Sequence, residues 1–476
     1  MAVILPRFIV LGPVDKLNYL SYIRDGKDTD GYLRFFEDQA ENPYAKFEVE
    51  LSDTNGLVHI RSCQKNKYWV RTKNLSLTGS TSSQYWITAT ADKKEEDQSK
   101  ESCTLFEFIS VNPAVNTVRI RHVQSQCYLC LWRWSNPTYT RSVLANYKTY
   151  DGQSADIITI INWSTLLILP RYVAFKGNND RYLCLRSIQG HPYLQFVSGD
   201  IGDSTVACEI IPTNDGNIRI KQVSNNKFWR RSPNWIWADT DDTSSNNKDT
   251  LFRPLKIDDK TISLMNLGNN RFCKRLTTEG KTDCLNAAVE SAAGLSRLTV
   301  EEAIISREIY GINYSIENAR VYDETVLVVA RTSASNYTQE SSTLQVNLSY
   351  TDTSTRTWKT NFSLTLGMKA TMAVKYPFVA KGEIEISSEL QTGVEWEETS
   401  TFTVVKGAVH TIEVPPMTKT TVSLVATQGW CDVPFTFMQR DTLYNGSTVI
   451  SEVQGGTFTG ANYSRTVFES KEEKLE

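Results

Sequence analysis

Two stretches of the chain set aromatic rings beside amide and carboxylate side chains. One, SSQYWITATAD at residues 82–92, carries Tyr85 and Trp86. The other, SPNWIWADTDD at residues 232–242, carries Trp235 and Trp237 with Asn234 and Asp239. A flat ring stacks on the apolar face of a pyranose while amides and carboxylates take its hydroxyls. The chemistry these residues offer is reversible sugar binding. Core packing is the competing use for such rings, and for Trp86 and Trp237 it weighs equally.

Bond-breaking chemistry finds no comparable support. His59, His122, His191 and His410 stand in unrelated contexts, and no nucleophile elbow or phosphate loop is spelled out. The acidic pairs Asp241-Asp242 and Glu397-Glu398 read as solvated faces. Cys127-x-x-Cys130 lacks a second pair and reads as two core thiols, so neither a metal nor a cofactor is expected. A net charge of −3 argues against a nucleic-acid partner, which would want a basic surface. Nine scattered cysteines, and a start without a basic segment leading into an apolar core, point to a reducing cytoplasm. Asn-x-Ser/Thr triplets such as that at Asn361 are then expected to stay bare.

A second pattern lies at residues 361–396, NFSLTLGMKATMAVKYPFVAKGEIEISSELQTGVEW. Its apolar residues fall on even numbers: Leu364, Leu366, Met368, Met372 and Val374, then Ile384, Ile386, Leu390 and Val394. Setting Val374 opposite Ile384 brings Met372 to Ile386, Met368 to Leu390 and Leu364 to Val394 on one side. On the other side Lys369 meets Glu389 and Ala373 meets Glu385. Each arm, 364–374 and 384–394, has 11 residues, against the ~9–11 that a tilted strand needs to cross a bilayer. In this register Tyr376, Phe378 and Val379 form an apolar tip between Lys375 and Lys381. Lipid leaves a lone hairpin's backbone unsatisfied, so crossing requires a closed barrel of several chains. The even face would meet lipid, and Lys369, Glu383, Glu385 and Glu389 would line the lumen. The plain alternative is a one-sided strand covering a core.

The elements that must position these groups repeat. GLVHIRSCQKNKYWVR at Gly56 aligns with GNIRIKQVSNNKFWRR at Gly216, a constant offset of 160 that matches Asn66 with Asn226 and Trp69 with Trp229. Within each copy, a strand, a polar turn and a basic-aromatic strand start recur three times, as around Tyr19, Tyr68 and Tyr128 and then Tyr182, Phe228 and Phe272. Threefold units without helical periodicity predict a β-trefoil in each copy. From residue 305 the chain turns to long alternating runs rich in Thr, Ser and Val, which predict an elongated antiparallel sheet. The expected domains are 1–163, 164–304 and 305–476.

Through NGLVHI, NKYWVR, YWITATAD, CTLF, VAFKGNN and NKFWRRS, residues 1–304 resemble the amaranthins, plant lectins of two β-trefoil domains. The last domain resembles the aerolysin family of β-pore-forming proteins in its architecture and central hairpin. The first resemblance implies a site at Tyr85 and Trp86, completed by a partner subunit, for galactose linked β1,3 to N-acetylgalactosamine. This chain has Ser83 and an insertion, TKNLSLTGST, where the family has an Asn shortly before the aromatic pair. Together the two imply a homo-oligomeric lectin that docks on glycans and opens a target membrane, or a non-lytic stress lectin whose last domain only assembles subunits.

Overall fold

The computed structural model describes the chain apart from residues 1–3, 15–17, 25–28, 75–83, 134–138, 214–215, 245, 361–369 and 476. The described residues are all-β, with a few three-residue 3-10 turns, and hold no helix long and apolar enough to cross a membrane. They fall into two compact units. One holds Met1–Arg307 and Arg440–Val449 among its described residues; the other holds Glu308–Thr360, Lys369–Gln439 and Ile450–Glu476.

The first unit contains two β-trefoils. In the first, Phe8–Pro13, Phe47–Leu51, Leu57–Ser62, Phe106–Asn112, Thr117–His122 and Ile158–Asn162 pair in a closed ring. Three further hairpins accompany that ring, one of them Tyr68–Asn74 with Gln84–Ala91. The second trefoil closes in the same order, from Tyr172–Lys176 round to Leu298–Glu302. Its hairpins include Lys227–Ser232 with Trp235–Thr240.

The repeated turn has a local cause. Asn66, Asn226 and Asn270 each precede a basic-aromatic pair or triplet, and each takes left-handed backbone with φ of 53°, 60° and 54°. Asparagine adopts that conformation more readily than most side chains. The N–H groups of Asn66 and Asn226 donate to the carbonyls of Ser62 at 2.8 Å and Gln222 at 2.9 Å. The aromatic that follows then enters the core. Trp69 meets Phe47 and Phe106 edge-on, Trp229 packs on Phe175 and Phe252, and both indoles are fully buried. Hiding such a ring contributes about 2–3 kcal/mol.

In the second unit the Thr/Ser/Val runs form long strands: Arg320–Asn336, Ser342–Lys359, Thr399–Val414, Thr418–Leu443 and Thr448–Lys474. With Ile304–Tyr314 they make a six-stranded antiparallel sheet. Trp358, Phe435, Phe437 and Phe458 form a cluster on this sheet, and the segment at residues 370–396 lies over it.

That segment pairs otherwise than the sequence register expects. Met372 lies opposite Val394, not Ile386, and Thr371 lies opposite Glu395. Val379 lies opposite Ile384 and Phe378 opposite Glu385. The turn is Lys381-Gly382, with φ of 53° and 86°, the backbone that a tight two-residue hairpin requires. The register shift between Met372 and Val374 puts its extra residue on the opposite strand, between Gln391 and Val394, and the parity of this strand reverses between Val374 and Pro377, which has no N–H to donate. Buried positions are even at Met372 and Val374 but odd at Pro377 and Val379. Tyr376, Phe378 and Val379 are therefore no tip here: Val379 is fully buried and the other two are half-buried. Leu364, Leu366, Met368 and Lys369 lie outside the described residues.

Candidate functional site

Strand alternation decides the first aromatic pair. Tyr85 and Trp86 are neighbours on Gln84–Ala91, so their rings point to opposite sides. Trp86 is fully buried, with Tyr32, Trp132 and Tyr139 between 5.7 and 6.1 Å from it. It has no face left for a sugar, and its assignment to the sugar site is corrected to a core role. Tyr85 stays half-buried, and the Arg71 guanidinium lies 3.5 Å from its ring centre. Arg71 is fixed by donating from Nε to the Ala145 carbonyl at 2.9 Å, and burial holds its pKa below the usual arginine range. The Tyr85 N–H donates to Asn146 Oδ1, also at 2.9 Å.

The second pair divides differently. Trp235 and Trp237 stand two apart on Trp235–Thr240 and share a side of the strand. Trp235 is 4% exposed and donates from Nε1 to Glu279 Oε2 at 3.1 Å, which marks a ring that holds its hairpins together. Its assignment to the sugar site is corrected as well. Trp237 is half-buried and stacks flat on His191, with centroids 4.2 Å apart and planes 10° apart. Tyr193 meets it edge-on at 5.5 Å and the Arg230 guanidinium lies 5.3 Å away. Asp239 takes both ends of Arg230 at 2.7 Å, so its carboxylate is committed to that pair. Asn234 is exposed, and its Oδ1 accepts from Asn269 Nδ2 at 3.3 Å.

The shelf at this position is thus Trp237, His191, Arg230 and Asp239, a ring stack edged by a neutralised ion pair. His191 escapes a sequence reading because it lies on another hairpin and belongs to no motif. Arg230 was findable: it is the cross-strand partner of Trp237.

In the second unit the segment at 370–396 is held mainly by side chains. Ala370, Met372, Val374, Val379 and Val394 are at most 4% exposed and pack on the aromatic cluster, whereas Ile386 and Leu390 are 38% and 59% exposed. Glu383, Glu385 and Glu389 are exposed. Its strands hydrogen-bond to each other in two separate two-stranded ribbons. Among the described residues, the backbone-to-backbone links to the long sheet are Lys381 N–H to Ser464 O at 3.3 Å, within the segment, and Glu397 N–H to Trp358 O at 3.1 Å, just after it. Side chains add to these, among them Arg356, which donates to Gln391 Oε1. Asn462 clamps Val379, accepting its N–H at 2.9 Å and donating to its carbonyl at 2.8 Å. The Tyr314 hydroxyl donates to the Lys375 carbonyl at 2.9 Å while accepting from Trp358 Nε1 at 2.8 Å.

The Agglutinin domain model matches residues 3–162 and 168–299, and the chain belongs to the family of proteins that carry this domain. Among curated proteins it is similar to Natterin-1 of Thalassophryne nattereri, 26% identical over 158 residues, which are 33% of this chain and 44% of that protein. Natterin-3 of the same organism matches alike, at 26% over 158 residues and 43% of its length. The chain thus spans less than half the length of these curated relatives. Among solved structures it is similar to a lamprey immune protein, with a TM-score of 0.30 and 12% identity, covering 75% of this chain and 87% of that one. A designed threefold symmetric protein, ThreeFoil, has a TM-score of 0.23 and 10% identity, covering 28% of this chain and 98% of its own.

Proposed function

We propose that this chain is a glycan-directed pore-forming protein. The trefoils dock on glycans containing galactose and N-acetylgalactosamine, and subunits assembled on the membrane release residues 361–396 to build a common β-barrel. One observation carries the reading: a two-sided segment packs Ala370, Met372, Val374, Val379 and Val394 on a sheet to which its described residues make few backbone bonds. A structural strand would join the ladder; this one can leave at the cost of a few hydrogen bonds and one apolar contact surface. Inserted strands would regain backbone bonds from neighbouring subunits, which satisfies the demand lipid imposes. The register of the released hairpin is then set anew, with Leu364, Leu366, Met368, Met372, Val374, Ile384, Ile386, Leu390 and Val394 toward lipid. Nine free thiols support storage in a reducing cytoplasm.

The test is dye release from liposomes with and without a glycolipid ending in galactose β1,3-N-acetylgalactosamine. Release confined to the glycan-bearing liposomes is expected. Binding without release would leave a non-lytic lectin, and release from both alike would remove the glycan from the mechanism.

A further inference from the structure

Strand alternation gathers Asp352, Ser354, Arg356, Lys406, Asn462 and Ser464 around one cavity of about 290 Å³ in the second unit. The segment adds one wall to it, through Tyr376 and Phe378. Arg356 dominates it. Its guanidinium lies between two rings, 3.4 Å from the centre of Tyr376 and 4.4 Å from that of Phe402. Its polar contacts include Gln391 Oε1 at 2.5 Å and Ser354 Oγ at 3.3 Å, both neutral. Among the described residues no carboxylate forms an ion pair with it, whereas the neighbouring Lys406 and Asp352 pair with each other. Burial lowers the pKa of Arg356 from the usual arginine range, against the opposing pull of the Tyr376 hydroxyl and of the nearby Glu389 carboxylate.

We propose that this cavity binds a phosphate group. A half-buried arginine facing hydroxyls, with the Lys406–Asp352 ion pair beside it and neutral oxygens as its hydrogen-bond partners, presents a fork of N–H donors that matches phosphate oxygens. The volume is near the lower end of small-ligand pockets and exceeds the bare ion, leaving room for a small polar substituent such as glycerol. Two sources share that chemistry: a free phosphate ester and a phospholipid head group. The binding itself does not depend on pore formation. Because the segment supplies one wall, an occupant would favour its packed position by mass action, and that consequence rests on the function proposed above.

The experiment is calorimetric titration of the full chain with inorganic phosphate and with glycerol 3-phosphate, then co-sedimentation with phosphatidylcholine vesicles with and without phosphatidic acid. One site per chain is expected, weakened at least tenfold by Arg356→Gln. Arg356 also touches the segment, so Lys406→Gln and Asp352→Asn supply readouts independent of that wall. The first should weaken binding a few-fold; the second, removing a competing carboxylate, should tighten it. Sedimentation that gains from phosphatidic acid and loses that gain in Arg356→Gln assigns a lipid head group. Soluble binding without that gain assigns a free ester. No phosphate binding by the parent in either arm, or binding indifferent to both Arg356→Gln and Asp352→Asn, overturns the proposal.

Discussion

Two tryptophans two residues apart should fail in different ways. Trp237→Ala removes a half-exposed ring that stacks on His191, so it should weaken glycan binding by about 1 kcal/mol per site, roughly fivefold, with little change in melting temperature. Trp235→Ala empties a buried site and removes the donor to Glu279. It should cost about 3–5 kcal/mol of stability. Thermal unfolding and glycan titration, run on both variants, separate the roles. Equal loss of binding at equal stability would restore Trp235 to the sugar site. The first trefoil offers a pH test. His122 is buried, with Nε2 at 3.0 Å from the Cys103 carbonyl, and burial lowers its pKa from about 6.5 to about 4. The unfolded chain takes up that proton below about pH 6.5 while the folded one refuses it, so stability is full above pH 6.5 and falls as pH drops toward 4. The loss should reach about 3 kcal/mol, and His122→Gln should flatten that stretch of the profile. An unchanged slope in the variant would mean that other groups set it. Residue types in the sequence exposed the aromatic loops but not which ring of each pair turns inward. That choice depends on strand parity and on partners such as His191 from distant hairpins.

At the scale of the element, the packed segment is a balance between one apolar contact surface and a handful of polar ties. Asn462→Ala removes both hydrogen bonds to Val379 while leaving Met372, Val374 and Val394 packed. Each lost bond of this kind is worth about 1 kcal/mol. Amide exchange at residues 376–386 should therefore accelerate about tenfold or more, while the trefoil strands keep their rates. Exchange unchanged at 376–386 would show that packing alone holds the segment. The fold itself was legible at this scale because trefoil turns are spelled out by Asn before a basic-aromatic start, and long strands by period-two runs. The segment's register was not legible. Its even-numbered apolar positions describe one continuous face, but Pro377 and the shift near Val374 break that face in two. A pattern of period two fixes which residues share a side only as long as no bulge intervenes.

For the whole molecule, the central claim is that glycan docking and barrel formation belong to one event. A barrel built from several copies of residues 361–396 would repeat Glu383, Glu385 and Glu389 around its lumen against a single Lys369 per copy. That excess of carboxylates should make the channel cation-selective. Leu366→Lys would put a charge near the midplane of the lipid face, about 2–4 kcal/mol per subunit, and should abolish conductance while leaving glycan binding intact. The most direct measurement is the conductance of a planar bilayer containing the galactose β1,3-N-acetylgalactosamine glycolipid, with the reversal potential read under a salt gradient. The expected result is stepwise, cation-selective current that needs the glycolipid, loses selectivity in Glu385→Gln with Glu389→Gln, and vanishes in Leu366→Lys. No current from parent protein bound to its glycan, or an anion-selective channel, or normal current from Leu366→Lys, would contradict it.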